Sequence, residues 1–273
     1  MKKERADRLA VQQGLAESVE KARRYIMAGQ VYTEKEQRVD KAGETLPAGT
    51  ELKIKGETPK YVSRGGFKLE KALTVFHLDL KGKIMLDIGS STGGFTDAAL
   101  QNGAEKVYAL DVGTNQLVWR LRSDERVIVM EQTNFRNSQK DDFKEGQPEI
   151  ASIDVSFISL DKILPVLKKI LVPNGDVVAL IKPQFEAAKE EVGNKGVIRD
   201  QAIHEKVLEQ VLMMAEREGY ELMGLEFSPI TGGEGNIEFL AHLNTVEKPQ
   251  AQYPLKEKIK ETVAAAHHVF YGV

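Results

Sequence analysis

The 273-residue chain contains no cysteine. That absence removes disulfides, thiolate metal sites and iron–sulfur clusters together. It also removes every reaction that runs through a cysteine nucleophile, addition of a thiolate to a nucleic-acid base among them. Long apolar runs are missing as well. Stretches such as Val177–Ile181 are interrupted by charge, far short of the ~18 residues that a membrane span needs. Met1-Lys2-Lys3-Glu4-Arg5 carries charge with no apolar segment behind it, which argues against a secretory signal and predicts a cytoplasmic address. Neither sign of charge dominates, the formal net charge being −3, but the distribution is uneven. Residues 1–60 carry 13 Lys/Arg against 10 Asp/Glu, and residues 61–273 carry 25 against 31. A basic head on an acidic body hints at a polyanion held at one end.

The length suits a small module followed by one full α/β domain. In the first 57 residues, Ala6, Leu9 and Ala10 share a helical face and Gly14 supplies a stop. Ser18 is placed to cap a second helix through Val19, Ala22 and Ile26, closed by Gly29. Short extended pieces follow at Gln30–Thr33 and Glu51–Lys55. Residues 58–66 read as a linker with turn chemistry, and Phe67–Phe76 as a helix. From residue 83 the pattern becomes strand, turn, helix, repeated. Strands are predicted at Lys83–Ile88, Lys106–Asp111, Val127–Glu131, Ile150–Val155 and Val177–Ile181, with helices at Thr96–Asn102, Ser159–Leu171 and Asp200–Glu218. Tyr220–Phe227 and Ile237–Leu243 are two further strands joined only by a Gly-rich loop, so the last must run antiparallel. The prediction is a doubly wound, mostly parallel seven-stranded α/β sheet with an antiparallel last strand, preceded by a small α+β unit. Residues 67–245 form the main domain, and residues 246–273 a helical tail.

The first strand of that sheet runs into Gly89-Ser90-Ser91-Thr92-Gly93-Gly94-Phe95-Thr96. Glycines after a strand let the backbone pass close beneath a ligand, and the helix that follows offers free N–H groups. The spacing fits neither the G-x-G-x-x-G dinucleotide pattern nor a P-loop. Asp111 ends the second strand, where an acid can accept both ribose hydroxyls of an adenosine ligand. Asp87 could face an ammonium group of that ligand, and Asn134 lies past the third strand, where adenine is expected. Loop, acid and closing hairpin together point to S-adenosylmethionine (SAM), with Asp87, Gly89, Ser90, Gly93, Gly94, Phe95, Asp111, Val112 and Asn134 as the candidate cofactor residues. In open α/β sheets ligands sit at the carboxyl ends of the strands. Asp154 and Lys182 end the fourth and fifth strands there, Glu238 opens the antiparallel one, and Lys68 lies on the helix before the first. A lysine directly after the buried-strand run Val177–Ile181 faces a cleft or a buried partner, whereas most of the 38 basic residues are solvated surface charges.

The stretches Ser63-Arg64-Gly65-Gly66-Phe67-Lys68-Leu69, Asp87 through Asp97, Asp154-Val155-Ser156-Phe157-Ile158-Ser159-Leu160, Lys182-Pro183-Gln184-Phe185-Glu186, Gly196-Val197-Ile198-Arg199-Asp200 and Gly235-Asn236-Ile237-Glu238-Phe239-Leu240 span nearly all of residues 60–243. In these the chain resembles the TlyA-type (haemolysin-A-type) ribosomal RNA methyltransferases, relatives of the FtsJ 2′-O-methyltransferases. Residues 5–31, with a Gly-Leu-x-x-Ser turn at Gly14–Ser18, resemble an S4 RNA-binding module. The chain departs from the pattern at Tyr61, where some members carry tryptophan. The resemblance implies a Lys68, Asp154, Lys182, Glu238 catalytic tetrad and transfer of the SAM methyl group to a ribose 2′-hydroxyl of ribosomal RNA, a cytidine being suggested. Its partners would be ribosomal RNA or ribosomal subunits, with Arg5, Arg8, Lys21, Arg23, Arg24 and Arg64 as RNA-binding candidates and no structural metal. Lys182 would take the hydroxyl proton or stabilise the alkoxide as a cation. Because a free lysine titrates near ~10.4, a base role at neutral pH requires burial or a neighbouring cation.

Two readings of other classes compete. A membrane-active haemolysin would need an amphipathic or spanning segment, and the apolar residues follow an α/β core pattern instead. A non-catalytic RNA-binding protein would have no need of the intact tetrad. A pseudouridine synthase lacks support because no Arg-Leu-Asp-type motif is present. An amino-group methyltransferase would more often carry Asp/Asn-Pro-Pro-aromatic where this chain has Asp154-Val155-Ser156-Phe157.

Overall fold

A computed structural model describes residues 3–55, 60–193, 196–247 and 254–272. The expected boundary at residue 57, linker residues 58 and 59, and tail residues 248–253 lie outside the described residues. The N-terminal unit begins with strand β1 (Lys3–Arg5), helix α1 (Ala6–Gln12) and helix α2 (Val19–Met27), and continues through β2 (Val31–Thr33), β3 (Thr45–Pro47) and β4 (Leu52–Ile54). Gly14 and Gly29 end the two helices as expected, and the Ser18 side chain caps α2 by accepting from the Lys21 N–H. β1 pairs with β3 and β2 with β4, both antiparallel. The unit closes its own core around Leu9, Ala22, Ile26, Val31 and Leu52.

The helix expected from Phe67 begins two residues earlier, as α3 (Gly65–Val75), so the expected linker ends at Arg64. The sheet follows: β5 (Ile84–Ile88), β6 (Lys106–Leu110), β7 (Val127–Met130), β8 (Ile150–Ile153), β9 (Asp176–Ile181), β10 (Tyr220–Phe227) and β11 (Phe239–Thr245), in the order β7–β6–β5–β8–β9–β11–β10. β11 is antiparallel to both β9 and β10, and the remaining pairs are parallel. Alternate residues of each strand face opposite layers. Val177, Ala179 and Ile181 pack under α6 (Leu164–Ile170), α8 (Gln201–Arg217) and α9 (Leu255–Tyr271), while Val178 and Leu180 pack under α3 and α4 (Gly94–Gln101). Two short helices, α5 (Trp119–Arg122) and α7 (Pro183–Glu186), follow β6 and β9.

One expected helix is broken. Ser159–Leu171 splits into a 3₁₀ turn over Leu160–Lys162 and α6, because Pro165 occupies the first turn of α6 and has no N–H to continue an earlier one. The C-terminal segment, unassigned from sequence, buries Ile259, Val263 and Ala266 against α8 and β10. There His204 of α8 and His267 of α9 meet nitrogen to nitrogen at 2.8 Å, both buried. Burial and the facing imidazole hold His204 down to about 4, so the pair is neutral at physiological pH.

Candidate active site

The order of the sheet reverses at β5, whose neighbours are β6 on one side and β8 on the other, and ligand crevices form at such a switch point. The chain leaves β5 through Gly89, with φ of 88°, and enters α4 through Gly93, with φ of 99°, conformations that disfavour any other residue. The sequence pattern suggested that these glycines make room for a ligand. The structure gives a different reason. A Cβ on Gly89 would fall 2.5 Å from the Asp154 carbonyl oxygen, one on Gly93 would fall 2.3 Å from Leu121 Cδ1, and one on Gly94 would fall 2.3 Å from Ser63 Oγ. Each glycine is needed because protein already occupies the space.

Asp87 also departs from expectation. It is fully buried beneath the loop and faces no cleft; its two oxygens accept from Thr96 Oγ1 of α4 (2.7 Å) and Ser152 Oγ of β8 (2.9 Å). Burial without a cationic partner raises its pKa to about 6. Asp87 thus ties strand, loop and helix together.

Of the other cofactor candidates, Gly89, Asp111, Val112 and Asn134 border a cleft of about 620 Å³, within the range of small-molecule sites. Its apolar wall includes Leu110, Val112, Phe135 and Ile163, and its polar edge includes Ser91, Asp111 and Asn134. Asp111 accepts from the Ser91 and Gly113 N–H groups, one on each oxygen at 2.8 Å. A carboxylate oxygen has two lone-pair sites, so both retain capacity for a ribose hydroxyl. Asn134 Oδ1 is engaged with Arg136 at 3.2 Å. Ser90 and Phe95 are buried and border a smaller recess beside Gly89, where Ser90 Oγ has no hydrogen-bond partner. An acid beside an apolar wall, with an unpaired hydroxyl close by, fits a nucleoside carrying polar substituents.

A second cleft, of about 600 Å³, adjoins the first at Gly89, Ser91, Asp154, Ser156 and Phe157, and all four expected catalytic residues line it. They form one row of alternating charge. Lys182 Nζ lies 2.5 Å from Asp154 Oδ1, Lys68 Nζ lies 3.3 Å from Asp154 Oδ2, and Lys68 Nζ lies 2.7 Å from Glu238 Oε2. Both lysines are 8% exposed and Glu238 3%. Burial acts to lower Lys68, but Asp154 and Glu238 outweigh it and hold its pKa above the ordinary lysine value. Burial acts to raise Asp154, but Lys68 and Lys182 outweigh it and hold the carboxyl below its usual range. Asp154 therefore stands as an anion between the two lysines. The Lys68 cation is separated from Lys182 by this carboxylate.

Local folding explains the positions. Lys68 reaches the row because α3 lies tight against α4, where a Cβ on Gly94 would fall 2.9 Å from the Gly66 nitrogen. Glu238 immediately precedes β11, and a Cβ on Gly232 would come within 2.1 Å of its carboxylate. Asn236 braces that loop, accepting from the Ile198 N–H and donating to the Gly196 carbonyl. Ser156 and Phe157 belong to one of the sequence motifs, which gave them no role. Lys182 Nζ donates to Ser156 Oγ at 3.1 Å. Phe157 is 90% exposed at φ of 63° and packs at 4.9 Å on Phe185. Their signal was adjacency to Asp154 at a strand end. Glu186, in another motif, accepts from Ser159 and the Leu160 N–H, and burial raises its pKa.

The RNA-binding candidates divide. Arg5 and Arg23 both pair with the buried Asp7, at 2.7 and 3.0 Å, and Lys21 pairs with Glu17 at 2.9 Å. Arg64 donates to the Thr231 carbonyl at 3.2 Å beside the Gly89 recess. Arg8 and Arg24 form no ion pair among the described residues. Among the described residues no helix is long and apolar enough to cross a membrane, and no group of three or more His, Asp or Glu could hold a metal ion.

Sheet order, strand-end clefts and charge row together define a methyltransferase. Residues 61–245 match the FtsJ-like methyltransferase family, and the chain belongs to it. It is 58% identical over 267 residues to the "Putative rRNA methyltransferase YqxC" of Bacillus subtilis, covering 97% of this chain and 95% of that protein. It is 38% identical over 247 residues to the 16S/23S rRNA (cytidine-2′-O)-methyltransferase TlyA of Mycobacterium tuberculosis, covering 88% and 90%. The solved structure of a "Putative hemolysin from Streptococcus thermophilus" shares 59% identity and superposes with a TM-score of 0.80, over 100% of this chain and 98% of that one.

Proposed function

We propose that the enzyme transfers the methyl group of SAM to a ribose 2′-hydroxyl of ribosomal RNA, at a cytidine. The observation that carries this reading is the buried Lys182–Asp154–Lys68–Glu238 row at the junction of two clefts. The cleft bordered by Asp111 and the Gly89 loop would hold SAM, which supplies an electrophilic methyl group on its sulfonium. The second cleft would hold the acceptor nucleotide. A ribose hydroxyl is a poor nucleophile until its proton is removed or its developing charge is stabilised. Lys182, aimed by Asp154 and Ser156, is the group that can do either, and Lys68 and Glu238 keep Asp154 in place. The names of the Mycobacterium tuberculosis and Campylobacter jejuni relatives, both cytidine-2′-O-methyltransferases, support the substrate. A ribosomal RNA substrate also implies a cytoplasmic protein.

In this reading residues 1–57 act as an S4-like RNA grip joined to residues 67–245, with Arg8 and Arg24 contributing charge that no described acid neutralises. The deciding experiment is transfer of labelled methyl groups from SAM to ribosomal RNA of a strain lacking the enzyme, with the product nucleoside identified. The expected product is a 2′-O-methylnucleoside. Methyl transfer to RNA with a 2′-deoxy sugar at the target would refute the assignment.

A further inference from the structure

A third cleft, of about 500 Å³, lies between α2 and the loop after β6 and shares only Gln116 with the proposed cofactor cleft. Trp119 borders it. This is the single tryptophan of the chain, and it is 69% exposed. A tryptophan can remove ~150–250 Å² from water when packed, so exposure forgoes much apolar burial. Around it the charge is mainly positive: Arg23, Arg24 and Arg122 line the cleft against one acid, Glu20. Arg23 and Arg122 are engaged with Asp7 and Glu131, but Arg24 forms no ion pair among the described residues and its Nε is buried without a hydrogen-bond partner. An aromatic face set among guanidinium groups is the combination that takes an unpaired nucleotide, base on the ring and phosphate on the cation. A double helix keeps its bases stacked inside and would leave the indole without a partner.

We infer that this cleft holds an unpaired stretch of the RNA substrate, with a base stacked on Trp119 and a phosphate on Arg24. The inference rests on the RNA substrate proposed above. It adds a second point of grip, outside the two clefts where the reaction takes place.

Because Trp119 is the only tryptophan, its emission reports on this cleft alone. The full-length protein is titrated with ribosomal RNA from cells lacking the enzyme, with a single-stranded oligoribonucleotide, with double-stranded RNA and with SAM. Quenching is expected from the ribosomal RNA and the single strand, and not from SAM or the duplex. Trp119→Ala should weaken binding of the ribosomal RNA about tenfold, with Trp119→Phe retaining most of the affinity. SAM affinity should be unchanged in both variants, which also verifies that they fold. Methyl transfer by the wild type, together with unchanged RNA affinity in Trp119→Ala, would overturn this inference alone. Quenching by SAM or equally by the duplex would overturn it too. A wild-type protein that neither binds nor methylates ribosomal RNA would overturn the proposed function along with it.

Discussion

Asp7 in the N-terminal unit and Asp154 in the methyltransferase domain are each flanked by two cations, at 2.7 and 3.0 Å in the first case and at 2.5 and 3.3 Å in the second. In the N-terminal unit the carboxylate is wholly buried and the side chains of Arg5 and Arg23 are 40% and 55% exposed. At the sheet edge the order is reversed: the lysine side chains are 9% exposed and the carboxylate is 17% exposed, where two clefts meet. A buried acid with solvated cations is a staple, because the cations can be hydrated whatever happens and only the acid needs its partners. Buried cations beside a cleft keep their charge where a reacting group can meet it, and water screens them little. Under the proposed function, two similar arrangements of charge thus serve structure in one place and chemistry in the other.

That contrast can be tested by substitution. The largest effect should come from Lys182→Ala, which is expected to lower turnover by ~10²–10⁴-fold with SAM and RNA affinity retained; calorimetry with single-turnover kinetics checks it. Lys182→Arg keeps a positive charge but cannot accept a proton near neutrality, so activity in that variant assigns the stabilising role. Asp7→Ala should behave in the opposite way. It should lower the melting temperature of the N-terminal unit by several degrees and weaken RNA binding, yet leave SAM affinity of the folded protein intact. Burial acts to raise the Asp7 pKa, but Arg5 and Arg23 outweigh it and hold the carboxyl below its ordinary value. The staple is therefore fully present above the unfolded value of ~3.9 and is lost as pH falls through the folded one.

A smaller effect is expected at the cations that Asp7 does not engage. Replacing Arg8 and Arg24 together with alanine should reduce the slope of log affinity for RNA against log salt by about one for each phosphate no longer neutralised, without changing the melting temperature. The smallest effect concerns Asp87, a buried carboxyl that forms no ion pair among the described residues. Its folded pKa of about 6 lies above the unfolded value. The folded state therefore holds a proton that the unfolded state has released, and stability falls as pH rises from ~4 through about 6. Thermal melts of Asp87→Asn should lack that decline, so its stability relative to the wild type should improve across the window.

Much of the sheet was legible because buried parallel strands read as apolar runs, as Val177–Ile181 does, and because the loop between Phe227 and Ile237 has no room for a crossover helix. β1 and β3 were not legible: Lys3-Glu4-Arg5 and Thr45-Leu46-Pro47 have too few apolar residues to alternate. The helix over Ser159–Leu171 was read through its break because Leu160, Ile163, Leu164 and Leu167 keep helical spacing on both sides of it. In the site, charged residues at strand ends marked Asp154, Lys182 and Glu238. The roles of Asp87, Arg5 and Arg23 depended on partners that local spacing does not reveal, Ser152 for the first and a buried Asp7 for the others. The loop glycines were recognised as necessary, but composition cannot tell a space filled by protein from one kept for a ligand.

Asp154, Ser156 and Phe157 border both large clefts, so a ligand in one can change affinity in the other through a common wall, and any such coupling is reciprocal. Whatever factor the methyl donor contributes to the affinity for RNA, RNA must return to the affinity for the methyl donor. With the methyl donor and RNA in the two clefts as proposed, removal of the transferred methyl group would change the charge facing that wall from a sulfonium to a neutral thioether, so the surface that brings the reactants together would also couple release of the two products.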